Sequence, residues 1–275
     1  DLGLNGAVSV TKFETNAGTE NFIAQDFTVN IGGPGSLTTD SMDFTRASGT
    51  ETPTVIGTYN LNVPVTSPVR KTVLHLHSGS KVYINEESSF KEIEYQGTDS
   101  PKPYLEINAK VSSDIVTTTK METVVTEDGN LEVGTLKSTD SNAPLTNNGT
   151  INATQIEVAS LTNSGTIEVS ESIDLTTISN SGIITTPTIN TSSITNSGTI
   201  TATNAFTATN YLRPTDSTSD VVNIKEGATL SITNDATIST LNVVKTESPT
   251  NDFATISTTG TLTISGATYN SADIQ

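Results

Sequence analysis

The sequence predicts an all-β protein whose C-terminal half is a β-solenoid (β-helix) with coils of 16–17 residues. Two observations lead to this prediction. Thr, Ile and Val together make up about 35 % of the 275 residues, and β-branched side chains favour strands. A seven-residue motif also recurs at nearly constant spacing between residues 145 and 205.

The motif has aliphatic residues at its first and seventh positions, Asn at the third and Gly at the fifth. Four copies follow one another at nearly equal intervals: 145–151, 161–167, 178–184 and 194–200. A unit this short buries no apolar face alone, so it must stack on its neighbours. Stacked at the strand spacing of about 4.8 Å, the coils would form two interior rows. These rows are Leu145, Leu161, Ile178 and Ile194, and Ile151, Ile167, Ile184 and Ile200.

The turn of the motif contains one Asn and one Gly in every copy. We predict a backbone with φ > 0 at the turn glycines, which are Gly149, Gly165, Gly182 and Gly198. The asparagines before them are Asn147, Asn163, Asn180 and Asn196. Their amides either form a ladder from coil to coil or close on their own turns, and the two arrangements are compatible.

The repeat extends in degenerate form over residues 127–275, which at this spacing corresponds to about nine coils. Residues 1–126 differ, because their strands are irregularly spaced and seven of the ten prolines lie there or at the border. We therefore predict two parts, 1–126 and 127–275. The first is either a β-sandwich-like cap or a set of irregular opening coils. Within the second, residues 210–220 break the repeat and are predicted to form a surface excursion.

Composition excludes several classes of function. Thirteen Lys and Arg against 30 Asp and Glu, with a net charge of −17, argue against nucleic-acid binding. No apolar stretch is long enough for a membrane helix, so no membrane span is expected. The absence of Cys excludes disulfides, thiolate metal sites and thiol nucleophiles. The first residue is Asp1 rather than Met, which suggests a removed signal peptide and an extracellular, cell-surface location.

No catalytic, cofactor-binding or metal-binding residues are predicted, and no cofactor is expected. His75 and His77 share one face of a predicted strand, where a surface pair is favoured over a Zn²⁺ or Cu²⁺ site. The acidic clusters at 127–130 and 216–220 are interpreted as solvated turns, with weak Ca²⁺ binding as the alternative for the first. The chain has no Trp, and residues 145–205 contain no Arg, Lys or aromatic residue, so an enzyme acting on polysaccharide is not expected.

The Leu/Ile-Thr-Asn-Ser-Gly-Thr-Ile units resemble repeats of secreted bacterial β-helix proteins, including autotransporter passenger domains and haemagglutinin-like adhesins. The resemblance is close over 145–205 and looser over 127–275. It implies a β-helix exposed at a cell surface, where contact with a surface glycan is one option. It implies no particular ligand.

The repeat continues to the C-terminal residues without a charged cap, so we expect another subunit to cover the last coil. The apolar segment near Asp1 suits strand addition to a neighbour. The predicted assembly residues are Leu2, Leu4, Val8, Val10, Leu262, Ile264 and Ile274. The leading hypothesis is a structural subunit of an extracellular filament or surface layer, with copies of itself as partners.

Two alternatives remain at this point. One is a monomeric adhesin or stalk that presents loops such as 210–220 to a partner. The other is an ice-binding solenoid with Thr rows on a flat face. Its rows would be Thr146, Thr162 and Thr195, and Thr150, Thr166 and Thr199, interrupted in the third coil by Ser179 and Ile183.

Overall fold

A computed structural model describes residues 2–15, 27–44, 57–67, 72–77, 79–95, 102–138, 140, 143–214, 219–225, 227–244 and 254–269. These residues form a parallel β-solenoid of about eight turns, with coils about 20 residues apart and no helix among them. The fold class predicted from the sequence is therefore confirmed. In the part of the chain described, no helix is long and apolar enough to cross a membrane.

The chain has two compact units, Asp1–Asn152 and Ala153–Gln275. The strands of the first unit are β1 (Leu2–Gly3), β2 (Ala7–Thr15), β3 (Phe27–Gly32), β4 (Ser36–Phe44), β5 (Gly57–Leu61), β6 (Val65–Thr66), β7 (Val73–Leu76), β8 (Ser80–Ile84), β9 (Ser88–Tyr95), β10 (Tyr104–Ile107), β11 (Lys110–Thr117), β12 (Glu122–Val125), β13 (Asn130–Lys137) and β14 (Leu145–Asn147). Strand β15 (Thr150–Asn163) contains the boundary. The strands of the second unit are β16 (Thr166–Asn180), β17 (Ile183–Asn196), β18 (Thr199–Leu212), β19 (Val221–Lys225), β20 (Thr229–Ile232), β21 (Ala236–Val244), β22 (Thr255–Thr258) and β23 (Leu262–Tyr269).

Strand β16 shows how one coil is built. Buried and outward-facing residues alternate along it, except at residues 170–172 and 176–177, where three and two successive side chains face outward. These breaks divide the coil into three extended segments, each of which contributes two side chains to the interior. The six interior residues are Ile167, Val169, Ile173, Leu175, Ile178 and Asn180.

The interior of the second unit consists of matched rows of apolar side chains. In the parallel register, Ile167 pairs with Ile184 and Ile184 with Ile200. A second row runs through Ile173, Ile189 and Phe206. All six side chains are fully buried, so the predicted row through Ile167, Ile184 and Ile200 is confirmed here. In the other predicted row, Ile178 pairs with Ile194, and both are fully buried.

The predicted spacing holds only for the central repeats. Strands β16, β17 and β18 follow it, but the later coils are longer, since Thr199 pairs with Val221 and Ala236 pairs with Leu262. The predicted spacing of 16–17 residues was therefore wrong for the described coils after Thr199. The longer coils keep the paired segments and place the additional residues between them, where a solenoid tolerates insertions.

The first unit is also built from parallel coils, of more variable length. The coil that begins at Leu2 is long, because Leu2 pairs with Ile31. The coil from Tyr104 to its partner Glu122 contains many fewer residues. The N-terminal part was predicted to be either a β-sandwich-like cap or a set of irregular coils, and its described strands form irregular coils. The boundary placed at residue 126 stays a prediction.

The turn glycines are needed for a different reason from the one predicted. Gly149, Gly182 and Gly198 do not adopt φ > 0; left-handed glycines occur at Gly33 and elsewhere. Instead, a Cβ at each of the three turn positions would lie closer than 3.0 Å to a backbone carbonyl of the preceding coil. Close coil stacking, not turn handedness, excludes a side chain here.

Shortening an interior residue of the central coils will destabilise the second unit. Ile184 is fully buried between Ile167 and Ile200. We expect Ile184→Ala to lower the free energy of unfolding by about 2–5 kcal/mol in urea denaturation, because it leaves a cavity in a stacked row. Ile183→Ala is the matched control, because Ile183 is 48 % exposed and its loss will change stability by about 0.5 kcal/mol or less. Equal effects of the two substitutions would contradict the stacked interior.

Candidate functional site

The first coil leaves one sheet edge open. β1 pairs with β3 and β2 with β4, and no other described strand lies on the outer edge of β1 or β2. The side chains that would point into the interior are therefore incompletely covered. Leu2 is 42 % exposed and Val10 is 37 % exposed, although their register partners Ile31 and Thr39 are buried.

Other predicted assembly residues of this coil lie differently. Leu4 is buried, and its backbone N–H donates to the carbonyl of Gly32 at 2.7 Å. Val8 is half-buried in register with Leu37. The predicted N-terminal segment is therefore part of a folded coil, with one edge paired and the other edge available.

The coil formed by β22 and β23 leaves an equivalent edge in the second unit. β22 pairs with β20 and β23 with β21, and no further described strand pairs with either. Ile256 is 40 % exposed, although its partner Leu230 is fully buried. Leu262 and Ile264 are half-buried in register with Ala236 and Ile238, and Ile274 lies outside the described residues.

Charge is sparse along both open edges. β1, residues 7–10 of β2, β22 and β23 contain no Asp, Glu, Lys or Arg, although these types make up 16 % of the chain, and the second half of β2 contains Lys12 and Glu14. Proteins that must avoid edge-to-edge association commonly place charged residues or Pro on exposed edge strands. Apart from Lys12 and Glu14, the strands of these two edges contain neither.

A row of buried asparagines runs through the second unit. Asn163 Nδ2 donates to Asn180 Oδ1, and Asn180 Nδ2 donates to Asn196 Oδ1, both at 2.8 Å. Each amide also donates to the carbonyl of its own turn glycine at 3.2 Å. The ladder and the closed turn therefore coexist, and each buried amide is satisfied. In the first unit, Asn147 Nδ2 donates to the Gly149 carbonyl at 3.3 Å.

The row of asparagines continues into a buried tyrosine and a buried carboxylate. Asn196 Nδ2 donates to the hydroxyl of Tyr211 at 3.0 Å, and this hydroxyl donates to Asp220 Oδ2 at 2.8 Å. The backbone N–H of Ser239 donates to the same carboxylate oxygen at 3.1 Å. Asp220 is fully buried, so its prediction as part of a solvated acidic turn was wrong. Burial raises the pKa of Tyr211, which keeps its phenol protonated as the donor to Asp220.

Tyr211 and Asp220 lie within residues 210–220, which were predicted to form a surface excursion, and the burial of both residues shows that this prediction was wrong for the two ends of the segment. One signal was available. Tyr211 follows Ile194 at the repeat length, so it occupies the next place in the row that contains Ile178 and Ile194. Its register partner is Ile194, from which its ring extends the hydroxyl to the asparagine row.

The remaining candidate groups are dispersed. His75 Nδ1 lies 3.0 Å from Glu94 Oε1, and the described residues contain no group of three or more His, Asp or Glu side chains placed to bind a metal ion. Lys110 and Glu132 form an exposed ion pair at 2.9 Å, and the bond to Lys110 lowers the pKa of Glu132. Ile183 interrupts the outward row formed with Thr166 and Thr199.

Comparison with protein-family models, with curated proteins and with solved structures finds no match to the chain. Functional inference therefore depends on its own geometry, above all on the two open edges.

Removing the hydroxyl of Tyr211 will test the buried polar row. Tyr211→Phe leaves one amide hydrogen of Asn196 without its acceptor, while the Gly198 carbonyl still accepts the other, and leaves Asp220 without one donor. Because buried polar groups that lose a partner cost about 1–3 kcal/mol each, we expect a loss of about 2–4 kcal/mol in the free energy of unfolding. The control is Tyr83→Phe, on the outward face of β8, for which urea denaturation should show a change of about 0.5 kcal/mol or less. A Tyr211→Phe protein as stable as the control would contradict the role of the row.

Alkaline pH provides an independent test. Burial raises the pKa of Tyr211 and Tyr104, and a bond to Glu106 raises that of Tyr104 further. A phenol with a raised pKa contributes stability that is complete below the ordinary value of 10.0 and is lost as the pH rises above it. Phenolate absorbance should therefore show that not all six tyrosines of the native protein ionise about one pH unit above that value, whereas all six do so in urea. Identical native and denatured titrations would contradict the burial of these groups.

Proposed function

We propose that the protein is a structural subunit that polymerises head to tail into an extracellular filament or surface layer. The joint is formed by the first-coil edge (β1 and residues 7–10 of β2) of one copy and the last-coil edge (β22 and β23) of the next. The observation that carries this proposal is the incomplete burial of interior apolar side chains at both edges, namely Leu2, Val10 and Ile256.

Apolar burial gives such a joint its driving force. Fully burying one Val, Leu or Ile side chain contributes about 1.5–3 kcal/mol, so covering a side chain that is about 40 % exposed contributes roughly 1 kcal/mol. The exposed backbone groups of both edges also gain strand partners. Because the charged residues of the edge strands are limited to Lys12 and Glu14 of β2, one of each sign, the net charge of −17 does not place an excess of like charge within the joint.

Strand direction favours the head-to-tail arrangement. Within the chain the strands at both edges pair in parallel. Joining the first-coil edge of one copy to the last-coil edge of another continues this parallel pairing. Such a contact joins two different surfaces, and unless a rotation closes it into a ring it grows into a fibre.

The extracellular location forms part of the proposal. It is supported by the absence of Cys, by the abundance of hydroxyl side chains and by the resemblance of the repeats to secreted bacterial β-helix proteins.

A second candidate function, a monomeric surface adhesin, is favoured by an outward aromatic pair in the first unit. The rings of Tyr83 and Tyr104 lie on adjacent coils with centroids 5.7 Å apart. Beside them, Glu106 accepts bonds from the hydroxyl of Tyr104 and from Asn108. Aromatic rings next to amide and carboxylate groups suit contact with a glycan.

Electron microscopy and sedimentation of the purified chain will test the proposed function. We expect filaments from the natural sequence and dispersed monomers from Val10→Asp, because the substitution buries an unpaired charge in the joint. Ile183→Asp is the matched control, since it places the same charge on an exposed aliphatic position away from both edges and should leave filaments intact.

Dispersed single molecules of the natural sequence at all concentrations would contradict the filament and favour the adhesin. Filaments of Val10→Asp that match those of the natural sequence would contradict the first-coil edge as the joint.

A further inference from the structure

Turn glycines recur in this fold because each one faces the backbone of the preceding coil. A Cβ on Gly35 would lie closer than 3.0 Å to the carbonyl oxygens of Gly6 and Leu4. Equivalent conflicts occur at Gly182 against Gly165 and at Gly198 against Gly182. In each of these copies, a carbonyl of the preceding coil occupies the space that a side chain at the turn would need, whereas other coils have residues such as Val63 and Asp220 at this position.

Gly6 occupies the same turn in the first coil. Ala7 pairs with Ser36, so Gly6 is the equivalent of Gly35, one coil earlier. A Cβ on Gly6 would have no described atom within 4 Å, and the residue does not adopt φ > 0. Neither contact nor backbone conformation within the described residues requires glycine at this position.

We propose that Gly6 accommodates the backbone of the last coil of a second copy of this chain. This inference rests on the proposed function and defines its joint. Within the chain, the carbonyl of Gly6 lies opposite Gly35. In the joint, the last coil of the second copy takes the place of a coil before Gly6 and supplies a carbonyl opposite Gly6. The turn of the second copy that meets Gly6 is at Ser265, the one residue between the two paired segments of β23.

The register of the joint follows from the coils on either side. Val8 and Ala267 are in register with Leu37 and Leu241, which are the first buried aliphatic residues after this turn in their coils. Leu2 and Ile264 are in register with Ile31 and Ile238, which are buried just before it. The strand pairs across the joint are therefore Leu2 with Ile264, Val8 with Ala267, Ser9 with Thr268, and Val10 with Tyr269.

Alanine at Gly6 separates assembly from folding. We expect Gly6→Ala to fold with the stability of the natural chain, because the added methyl group meets nothing within it, and to raise the critical concentration for filaments at least about tenfold. Gly3→Ala is the matched control. Gly3 also has no neighbour within 4 Å, but a Cβ on its equivalent Gly32 makes only ordinary contact with Asn62, so filaments should form normally. Gly35→Ala should destabilise the monomer itself, because its conflict lies within the chain.

The outcomes distinguish this inference from the proposed function. Filaments of Gly6→Ala with an unchanged critical concentration would overturn the assignment of Gly6 while leaving the head-to-tail filament in place. Absence of filaments from the natural sequence would overturn both. Unfolding of Gly6→Ala would also overturn the assignment, because it would show that glycine is needed within the chain.

Cysteine cross-linking tests the register without depending on Gly6. The chain contains no Cys, so an engineered pair is the sole source of disulfides. Parallel neighbours lie about 4.8 Å apart, within the range of about 4.4–6.8 Å that a disulfide spans. Oxidised filaments of Ser9→Cys/Thr268→Cys should give a ladder of covalent oligomers, whereas Ser9→Cys/Thr258→Cys should give none. A ladder from the second pair, or none from the first in intact filaments, would overturn the register.

Discussion

The requirement that every coil be covered on both sides governs this molecule. One coil contributes six interior side chains, as β16 does, which is too few to form a core of its own. Burial therefore arises between coils: Ile184 is fully buried because Ile167 and Ile200 lie on either side of it. The same requirement explains the exposure of Leu2 and Ile256, since the described residues cover each on one side only.

Coil stacking also makes a polar interior acceptable. A buried amide costs free energy unless its donors and acceptor are paired, and the row from Asn163 to Asn196 pairs each amide with the next coil and with its own turn. The row ends where the coil length changes. There Tyr211 accepts the last amide hydrogen, and Asp220 accepts from Tyr211 and from the backbone of Ser239. The residues that lengthen this coil thus bring a carboxylate back to the interior.

Assembly and folding draw on the same contacts in this chain. Inside each unit, parallel strands, apolar rows and glycine turns join one coil to the next. At the first-coil and last-coil edges the parallel strands and the apolar rows are present without a described neighbour, and the charges that discourage strand addition are limited to Lys12 and Glu14 of β2. A second copy that continues the pattern needs no new kind of interaction. The filament is, on this view, the solenoid continued between molecules.

Sequence alone was sufficient for the parallel solenoid and its interior rows, because a short repeat with aliphatic residues at fixed positions admits few other ways of burial. It also located the buried asparagines, since turn and ladder geometry both require that residue type. Three features depended on tertiary structure. The lengths of the coils after Thr199 are one of them, because the sequence marked the interruption at 210–220 but not the longer step from Ala236 to Leu262. The turn glycines are fixed by a carbonyl of another coil, which is distant in sequence. Asp220 is buried because the hydroxyl of Tyr211 and the backbone N–H of Ser239 in the next coil donate to it, and the acidic segment 216–220 contains neither donor.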